Sequence, residues 1–219
     1  MIGGQRLDSF LQWNSWWSQQ FSHLIEPGGR FASTKAALNF VLQRGGTTIV
    51  ETGTVRMPND WAGAGMTTLL LGSFCEYYKC HLWTVDNEPN AIELAKQLTR
   101  SFESAITYVL ADSIEFLGNF ALPIDLLYLD SMDCPPGNSE PESLRRSQEH
   151  QRSELVAAWD KLHAGSVVLL DDNDFSNGGK CRLANELLAE SGWTCVLAEK
   201  QVLWMWDSGR PFPAYCPMV

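Results

Sequence analysis

The feature that most constrains the fold is an alternation of short, β-rich apolar runs with longer helical stretches, which begins after Gly46. Parallel strands need a crossover connection of a dozen or more residues, whereas antiparallel strands can be joined by a tight turn. The alternation therefore predicts right-handed crossovers and a mainly parallel sheet covered by helices on both faces. The predicted strands are Thr48–Glu51, His81–Val85, Ile106–Val109, Ile124–Leu129, Ser166–Leu170, Thr194–Ala198 and Val202–Trp206.

The last two predicted strands are joined differently from the others. The link between them, Glu199 to Gln201, is too short for a crossover helix, so these strands should form an antiparallel hairpin at one edge of the sheet. The predicted helices of this part are Thr67–Tyr78, Pro89–Ser101, Ser113–Asn119, Leu144–Leu162 and Lys180–Ser191. The sequence thus predicts an α/β fold with a Rossmann-like, doubly wound sheet of seven strands, mostly parallel with an antiparallel C-terminal pair.

The amino-terminal part of the chain is predicted to be helical. Apolar residues at helical spacing favour a first helix over Leu7–Leu24 with one large aromatic face, and Pro27 ends it. Ser33 is expected to cap a second helix that runs to Gln43. The aromatic face carries Trp13, Trp16 and Trp17. Packing in the core is the simplest role for most of these rings, and a lid over a ligand or a homodimer interface is the alternative.

The length of 219 residues suits one sizeable α/β domain and is short for two. We expect a single domain with a helical cap over residues 1–45, a Rossmann-like core over 46–207 and a tail over 208–219. The formal net charge of -10 and the pI near 4.8 argue against nucleic acid and anionic membranes as partners, because both surfaces are negatively charged.

The expected compartment is the cytoplasm. Residues 1–8 lack the basic and apolar segments of a secretory signal, and the most apolar uncharged run, Trp61 to Cys75, is too short to span a bilayer. The six cysteines show no CxxC pair, so they are expected to be reduced, buried thiols.

The stretch from Ile49 to Gly72 begins as a strand, breaks at glycines and continues as a helix, which is typical of nucleotide sites. A phosphate-binding P-loop is disfavoured because Met66 stands where that motif has lysine. A dinucleotide motif needs three glycines, and Thr68 stands at the third. Glu51 is unfavourable beside a pyrophosphate but suits a positively charged ligand such as S-adenosylmethionine, which carries an ammonium and a sulfonium.

Two further acidic positions follow predicted strands. Asp86 ends the second strand, where a carboxylate can accept hydrogen bonds from both hydroxyls of a ribose. NAD would require the same carboxylate, so Asp86 alone does not discriminate between the two cofactors. Asp112 and Ser113 follow the third strand and can meet an adenine, but both are also good helix-capping residues.

The ordered set of these motifs, from about residue 45 to 206, resembles class I S-adenosylmethionine-dependent methyltransferases. The set runs from Glu51-x-Gly53 and the helix start at Thr67-Thr68 through Asp86 and Asp112-Ser113 to Asp130. The resemblance implies cofactor binding by Glu51, Gly53, Thr54, Gly65, Thr67, Asp86, Asn87, Asp112, Ser113 and Asp130.

A second part of the resemblance concerns a metal. Asp130 follows strand four and Asp172-Asn173 follow strand five, as in metal-dependent O-methyltransferases of the catechol, caffeoyl-CoA and macrocin type. The similarity implies that Asp130, Asp172 and Asn173 hold Mg²⁺ or Ca²⁺, which would orient the acceptor and lower its hydroxyl pKa. The alternative is that the Asp-rich turn after strand five is merely solvated.

The catalytic base is less clearly indicated. Catechol-type enzymes carry a lysine three positions after the strand-four Asp, and here Asp133 stands there, which departs from the pattern. His150 is the remaining candidate for a general base, because imidazole titrates near neutral pH. Its alternative role is to pin the loop to the helix. The predicted catalytic residues are Asp130, Asp133 and His150.

The resulting hypothesis is methyl transfer to a hydroxyl of a small molecule or natural product, with assistance from a divalent metal. One alternative is metal-independent N-methylation of a peptide or amine, with Asp130 and Asp133 positioning the acceptor. Another is a NAD(P)-dependent oxidoreductase, and a third is a non-catalytic cofactor-binding module.

Overall fold

The computed structural model describes residues 11–19, 30–61, 66–133, 141–174 and 176–206. Its helices are α1 (residues 11–19), α2 (Arg30–Arg44), α3 (Thr67–Tyr78), α4 (Pro89–Leu98), α5 (Ser113–Asn119), α6 (Pro141–Ala158) and α7 (Arg182–Glu190). Its strands are β1 (Thr48–Thr52), β2 (His81–Asp86), β3 (Ile106–Leu110), β4 (Leu126–Leu129), β5 (Val167–Leu170), β6 (Thr194–Ala198) and β7 (Val202–Met205). Short 3₁₀ helices lie at Arg100–Ala105, Trp159–Lys161 and Ser176–Cys181.

The seven strands form one sheet in the order β3-β2-β1-β4-β5-β7-β6. The first five are parallel, and β7 runs antiparallel between β5 and β6. The predicted doubly wound sheet with an antiparallel C-terminal pair is therefore confirmed. The chain leaves β1 toward β2 on one side and returns to β4 on the other, so a crevice opens at the carboxyl ends of β1 and β4, where such sheets bind ligands.

Alternate residues of the parallel strands pack against different helical layers, as the pleat of a strand requires. Ile49 of β1 belongs to the cluster that contains α1, α2 and α3, whereas Val50 belongs to the cluster of α5, α6 and α7. Both side chains are fully buried. The sheet is thus covered on both faces, and polar groups at its carboxyl edge are held on a rigid scaffold.

The aromatic face of α1 packs into this core. Trp13 and Trp17 are fully buried, and the Trp13 ring meets the Phe74 ring edge-on at 5.4 Å between centroids. The core-packing interpretation is confirmed for these two rings. The remainder of the predicted Leu7–Leu24 helix lies outside the described residues, and the homodimer stays a prediction.

Helix boundaries differ from the prediction where tertiary contacts intervene. The second helix begins at Arg30, so the prediction that Ser33 caps it was wrong. The Ser33 hydroxyl instead donates to Gln201 Oε1 at 2.5 Å. The helix predicted from Lys180 begins at Arg182, because the preceding residues form a 3₁₀ helix. Within the described ranges, no helix combines the length and the apolar character needed to cross a membrane.

Candidate active site

A cavity of about 240 Å³ opens at the carboxyl ends of the central strands. Its walls come from segments that directly follow β2, β3 and β4, together with one residue after β1 and one from α6. The lining residues are Arg56, Val85, Asp86, Asn87, Ala111, Asp112, Ser113, Ser131, Met132, Asp133 and His150. Four predicted cofactor residues, Asp86, Asn87, Asp112 and Ser113, thus share one cavity with the predicted catalytic residues Asp133 and His150.

Asp86 is fixed at the end of β2 by two backbone amides. Its Oδ2 accepts from the Thr54 N–H at 3.0 Å, and its Oδ1 accepts from the Glu88 N–H at 2.9 Å. Each carboxylate oxygen keeps a further lone pair. The side chain is 9% exposed and lines the cavity, so its orientation is preset for a ligand with two adjacent hydroxyls.

The sequence suggested two alternative roles for Asp112 and Ser113, helix capping and contact with a ligand. Asp112 Oδ1 accepts from the Glu115 N–H at 2.9 Å and caps α5, while the residue also lines the cavity. Ser113 Oγ lies 3.2 Å from His150 Nε2. The serine and the histidine therefore belong to the same corner of the cavity.

His150 is held by a buried carboxylate of its own helix. Its Nε2 lies 3.5 Å from Glu154 Oε1, and the hydrogen bond with Glu154 raises the pKa of the imidazole against the effect of partial burial. Glu154 Oε1 also accepts from the Ser131 hydroxyl at 2.6 Å. This places the His150 ring beside Ser113 at the β3 side of the cavity.

Arg56 and Asp133 form a bidentate ion pair across the cavity wall. The two guanidinium nitrogens lie 2.7 and 2.6 Å from the two carboxylate oxygens. This pairing holds the pKa of Asp133 below its usual range. The lowered pKa makes Asp133 a weak base, whereas burial and the neighbouring Asp171 hold the pKa of Asp130 above its usual range, which argues against the predicted catalytic role of Asp133.

The other predicted cofactor residues lie beneath the cavity or outside the described chain. Glu51 is 1% exposed on β1, and its Oε2 accepts from the Thr84 hydroxyl at 2.7 Å. Thr54 Oγ1 lies 3.1 Å from Thr68 Oγ1, and the Thr67 hydroxyl donates to Tyr128 Oη at 3.4 Å. None of Glu51, Gly53, Thr54 and Thr67 lines the cavity described above. Gly65 lies outside the described residues.

Gly53 occupies the turn after β1 for a steric reason. Its φ is +77°, and a Cβ at this position would lie 2.3 Å from the carbonyl oxygen of Asp130. The glycine therefore lets the loops after β1 and β4 approach each other at the crevice.

Burial raises the pKa of Glu51 to about 8, against the hydrogen bond from Thr84 that lowers it. A folded-state pKa above the unfolded value of 4.5 means that the native state favours the protonated acid, so this residue lowers stability as the pH rises between about 4.5 and 8. The penalty is absent below pH 4.5, small near pH 5 and complete above the folded-state pKa, where it is on the order of 3–5 kcal/mol at 1.36 kcal/mol per pKa unit.

Glu51→Gln should remove this penalty. Without ligand, the variant is expected to have a higher Tm than the wild type at pH 9 and a similar Tm at pH 5, as measured by thermal unfolding. An equal difference in Tm at both values would show that Glu51 does not titrate in this window.

A second group of buried charges lies at the ends of β4 and β5, next to the cavity. Lys180 Nζ lies 2.5 Å from Asp130 Oδ1 and 3.2 Å from Asp172 Oδ2. Arg30 Nε lies 2.6 Å from Asp171 Oδ2, and its Nη2 lies 3.2 Å from Asp172 Oδ1. Two cations from distant parts of the chain thus cover three carboxylates, and we call these five residues the charge cluster.

Tyr128 and Gln201 support the charge cluster from inside the sheet. The buried Tyr128 hydroxyl donates to Asp171 Oδ2 at 2.6 Å and accepts from Gln201 Nε2 at 3.2 Å. Gln201 in turn accepts from Ser33, which ties α2 to the site. Sequence reasoning missed Arg30, Tyr128 and Lys180. The polar Tyr128 within an otherwise Leu-only strand was the one local signal.

The comparisons with known proteins identify the family. A family model described as a methyltransferase domain matches residues 62–173, which is about half of the chain and includes β2 to β5. The chain belongs to this methyltransferase family. It is an S-adenosylmethionine-dependent methyltransferase. A comparison with curated protein sequences finds no significant match.

Solved structures similar to this methyltransferase share its fold. SAH-bound PaMTH1 of Podospora anserina has a TM-score of 0.55 at 11% identity, with 91% of this chain and 88% of that chain covered. The calicheamicin methyltransferase CalS11 has a TM-score of 0.56 at 15% identity, with coverages of 86% and 80%. The O-methyltransferase NovP has a TM-score of 0.55 at 14% identity, with coverages of 81% and 79%.

The cavity of this methyltransferase suits the adenosine part of the cofactor. The preset carboxylate of Asp86 fits the two ribose hydroxyls, and the Asp112–Ser113 corner offers polar groups to an adenine edge. S-adenosylmethionine supplies an electrophilic methyl group on a positively charged sulfur. Arg56 compensates Asp133 in the walls, and the remaining carboxylates of Asp86 and Asp112 favour such a cation and disfavour a pyrophosphate.

The predicted metal ligands do not fit a divalent ion. The Lys180 ammonium contacts the carboxylates of Asp130 and Asp172, which would have to bind the divalent ion instead. The Asn173 amide is engaged elsewhere, because its Nδ2 donates to the Glu199 carbonyl at 2.9 Å and its Oδ1 accepts from Asn185. In the part of the chain that the structure describes, no three His, Cys, Asp or Glu side chains are arranged to hold a metal.

Proposed function

We propose that this methyltransferase transfers a methyl group to a hydroxyl of a small molecule, with Asp130 as the general base. The observation that carries the proposal is the carboxylate of Asp130 at the end of β4. It is 15% exposed and directly precedes the cavity wall formed by Ser131, Met132 and Asp133. Two fold relatives, NovP and the TDP-rhamnose 3'-O-methyltransferase CalS11, are O-methyltransferases, which supports a hydroxyl acceptor.

The mechanism requires a base because a neutral hydroxyl is a poor nucleophile. Asp130 accepts the hydroxyl proton while the acceptor oxygen forms a bond to the methyl carbon and the carbon–sulfur bond breaks. The sulfur leaves as neutral S-adenosylhomocysteine, so the positive charge of the donor is lost as the proton moves to the carboxylate. The crevice would also hold the acceptor oxygen in line with the methyl carbon, and this positioning accelerates the transfer further.

We infer that His150 acts at the adenine end of the cavity and not as the base. Its ring contacts Ser113, which lies after β3, whereas the donor methyl is expected at the β1–β4 crevice. Ser113 is the predicted adenine contact, and its hydroxyl oxygen lies 3.2 Å from His150 Nε2. The His150 ring would therefore lie beside the adenine and not beside the methyl group.

A hydrophobic acceptor suits the rim of the cavity. Met132, which is 40% exposed, lines the cavity beside Asp133, and Met57, which is 56% exposed, follows Arg56 in the sequence. Thioether side chains adapt to apolar ligands of different shapes. An aromatic or lipophilic alcohol therefore fits this rim better than a charged peptide.

The test is a transfer assay with S-adenosylmethionine that carries a deuterated methyl group, read by mass spectrometry. The acceptors are a panel of phenols and glycosides and a matched panel of amines and peptides. We expect label on oxygen in the first panel. Label confined to nitrogen in the second panel would overturn the proposal in favour of N-methylation.

A further inference from the structure

We propose that the Lys180 ammonium takes the place of the divalent metal, so that the charge cluster works without a metal ion. The inference deepens the proposed function, since it assigns the cation beside Asp130. Lys180 bridges the carboxylates that follow two neighbouring strands, Asp130 after β4 and Asp172 after β5. Its side chain is 1% exposed, so the ammonium is a fixed component of the site and not a mobile surface charge.

The backbone around Lys180 is built to hold it there. Gly179 has a φ of +54°, and a Cβ at this position would lie 1.8 Å from the Asp172 carbonyl oxygen. The Lys180 N–H donates to that same carbonyl at 3.1 Å. On the other side, Gln148 Nε2 donates to the Gly179 carbonyl at 2.8 Å. The 3₁₀ segment is therefore locked against the turn after β5, and the lysine side chain enters the cluster from a defined position.

The electrostatics of the cluster leave little reason to bind a metal. Lys180 contacts Asp130 and Asp172, and Arg30 contacts Asp171 and Asp172, so each of the three carboxylates already has a cationic partner. A divalent ion would have to displace Lys180 or lie against it, and like charges in a buried site repel strongly.

The role of Lys180 follows from its contacts. A divalent metal would contact the acceptor oxygen directly, whereas the buried ammonium acts through Asp130, whose Oδ1 it binds. Lys180 is thus a positioning residue that fixes the rotamer and charge of the base. The Tyr128 hydroxyl has a single proton and lies 2.6 Å from Asp171 Oδ2 and 3.0 Å from Asp130 Oδ2, so Lys180 is the buried donor that orients the base.

The test compares metal binding and turnover in the full-length wild type, Lys180→Met and the exposed-lysine control Lys96→Met. Mn²⁺ is titrated in by electron paramagnetic resonance, which needs no acceptor and so is independent of the proposed function. We expect no stoichiometric Mn²⁺ binding to the wild type or the control, and activity that is unchanged by EDTA. Lys180→Met, which removes the cation beside Asp130 and leaves Asp172 with Arg30 alone, should bind about one Mn²⁺ and lose at least about tenfold in kcat in the presence of EDTA.

Lys180→Arg provides the second variant, because it keeps a charged donor in the cluster. It should recover part of the lost kcat without metal and bind no Mn²⁺. If Lys180→Met does not fold, the wild-type titration alone decides. One tightly bound Mn²⁺ on the wild type, or turnover that EDTA abolishes and Mg²⁺ restores, would overturn the inference. Failure of methyl transfer to every hydroxyl with no Mn²⁺ bound would instead contradict the proposed function alone.

Discussion

Asp130→Asn is expected to lower kcat about 100- to 10,000-fold, the range that a positioned general base contributes. Asparagine matches the size of the acid and keeps one oxygen that can accept from Lys180, but its amide cannot take the hydroxyl proton. The prediction is checked by steady-state kinetics with the acceptor found in the labelling assay. Because Asp130 pairs with Lys180, thermal unfolding and affinity for S-adenosylhomocysteine must be measured on the same preparation.

Asp133→Asn is the matched control for this variant. Asp133 also follows β4, but it is paired with Arg56 and has a lowered pKa. Its substitution should alter kcat by less than about tenfold. Equal losses of kcat in the Asp130 and Asp133 variants would contradict the assignment of Asp130 as the base, as would an Asp130→Asn enzyme with normal turnover.

Asp86→Ala is expected to weaken binding of S-adenosylhomocysteine by at least about 100-fold. Two hydrogen bonds from ribose hydroxyls to a carboxylate contribute roughly 1.5–3 kcal/mol each, and 1.4 kcal/mol corresponds to a factor of ten in affinity. Asp86→Asn should lie between the wild type and the alanine variant, since it keeps one acceptor oxygen. Calorimetric titration measures all three proteins.

The same titration tests the inferred position of His150. His150→Gln should reduce affinity for S-adenosylhomocysteine while leaving the pH dependence of kcat unchanged. If His150→Gln instead removes a limb of the pH–rate profile and Asp86→Ala binds normally, the cofactor does not lie in this cavity as proposed.

Local patterns were sufficient to predict the sheet and one wall of the cavity. β2 ends at Asp86, β3 ends two residues before Asp112 and β4 ends just before Asp130, so the parallel arrangement brought these three carboxylates to one edge of the sheet. The parallel arrangement alone fixes this proximity. The cofactor roles of these residues stay predictions, which the variants described above test.

The role of Glu51 as a cofactor residue stays a prediction. Glu51 is 1% exposed, shares a strand face with Ile49 two positions earlier, and accepts a hydrogen bond from Thr84. The period of two along β1 already indicated which face of the strand Glu51 occupies.

The charge cluster could not be predicted from neighbouring residues. Arg30 is 141 residues from Asp171, and Lys180 is 50 residues from Asp130. No local feature of the sequence indicates that Lys180, at the predicted start of a helix, is buried. The positive φ of Gly179, which sets the backbone path just before Lys180, is seen only in the structure. The metal hypothesis rested on Asp130, Asp172 and Asn173 and on the resemblance to metal-dependent O-methyltransferases, without the cations that contact the two carboxylates.

The central claim is that this cavity binds an adenosine cofactor without a pyrophosphate. Calorimetric titration of the unmodified protein with S-adenosylhomocysteine and, in parallel, with NADH tests it most directly. We predict one site for S-adenosylhomocysteine and no measurable binding of NADH. Saturable binding of NADH, with no heat from S-adenosylhomocysteine, would contradict the account.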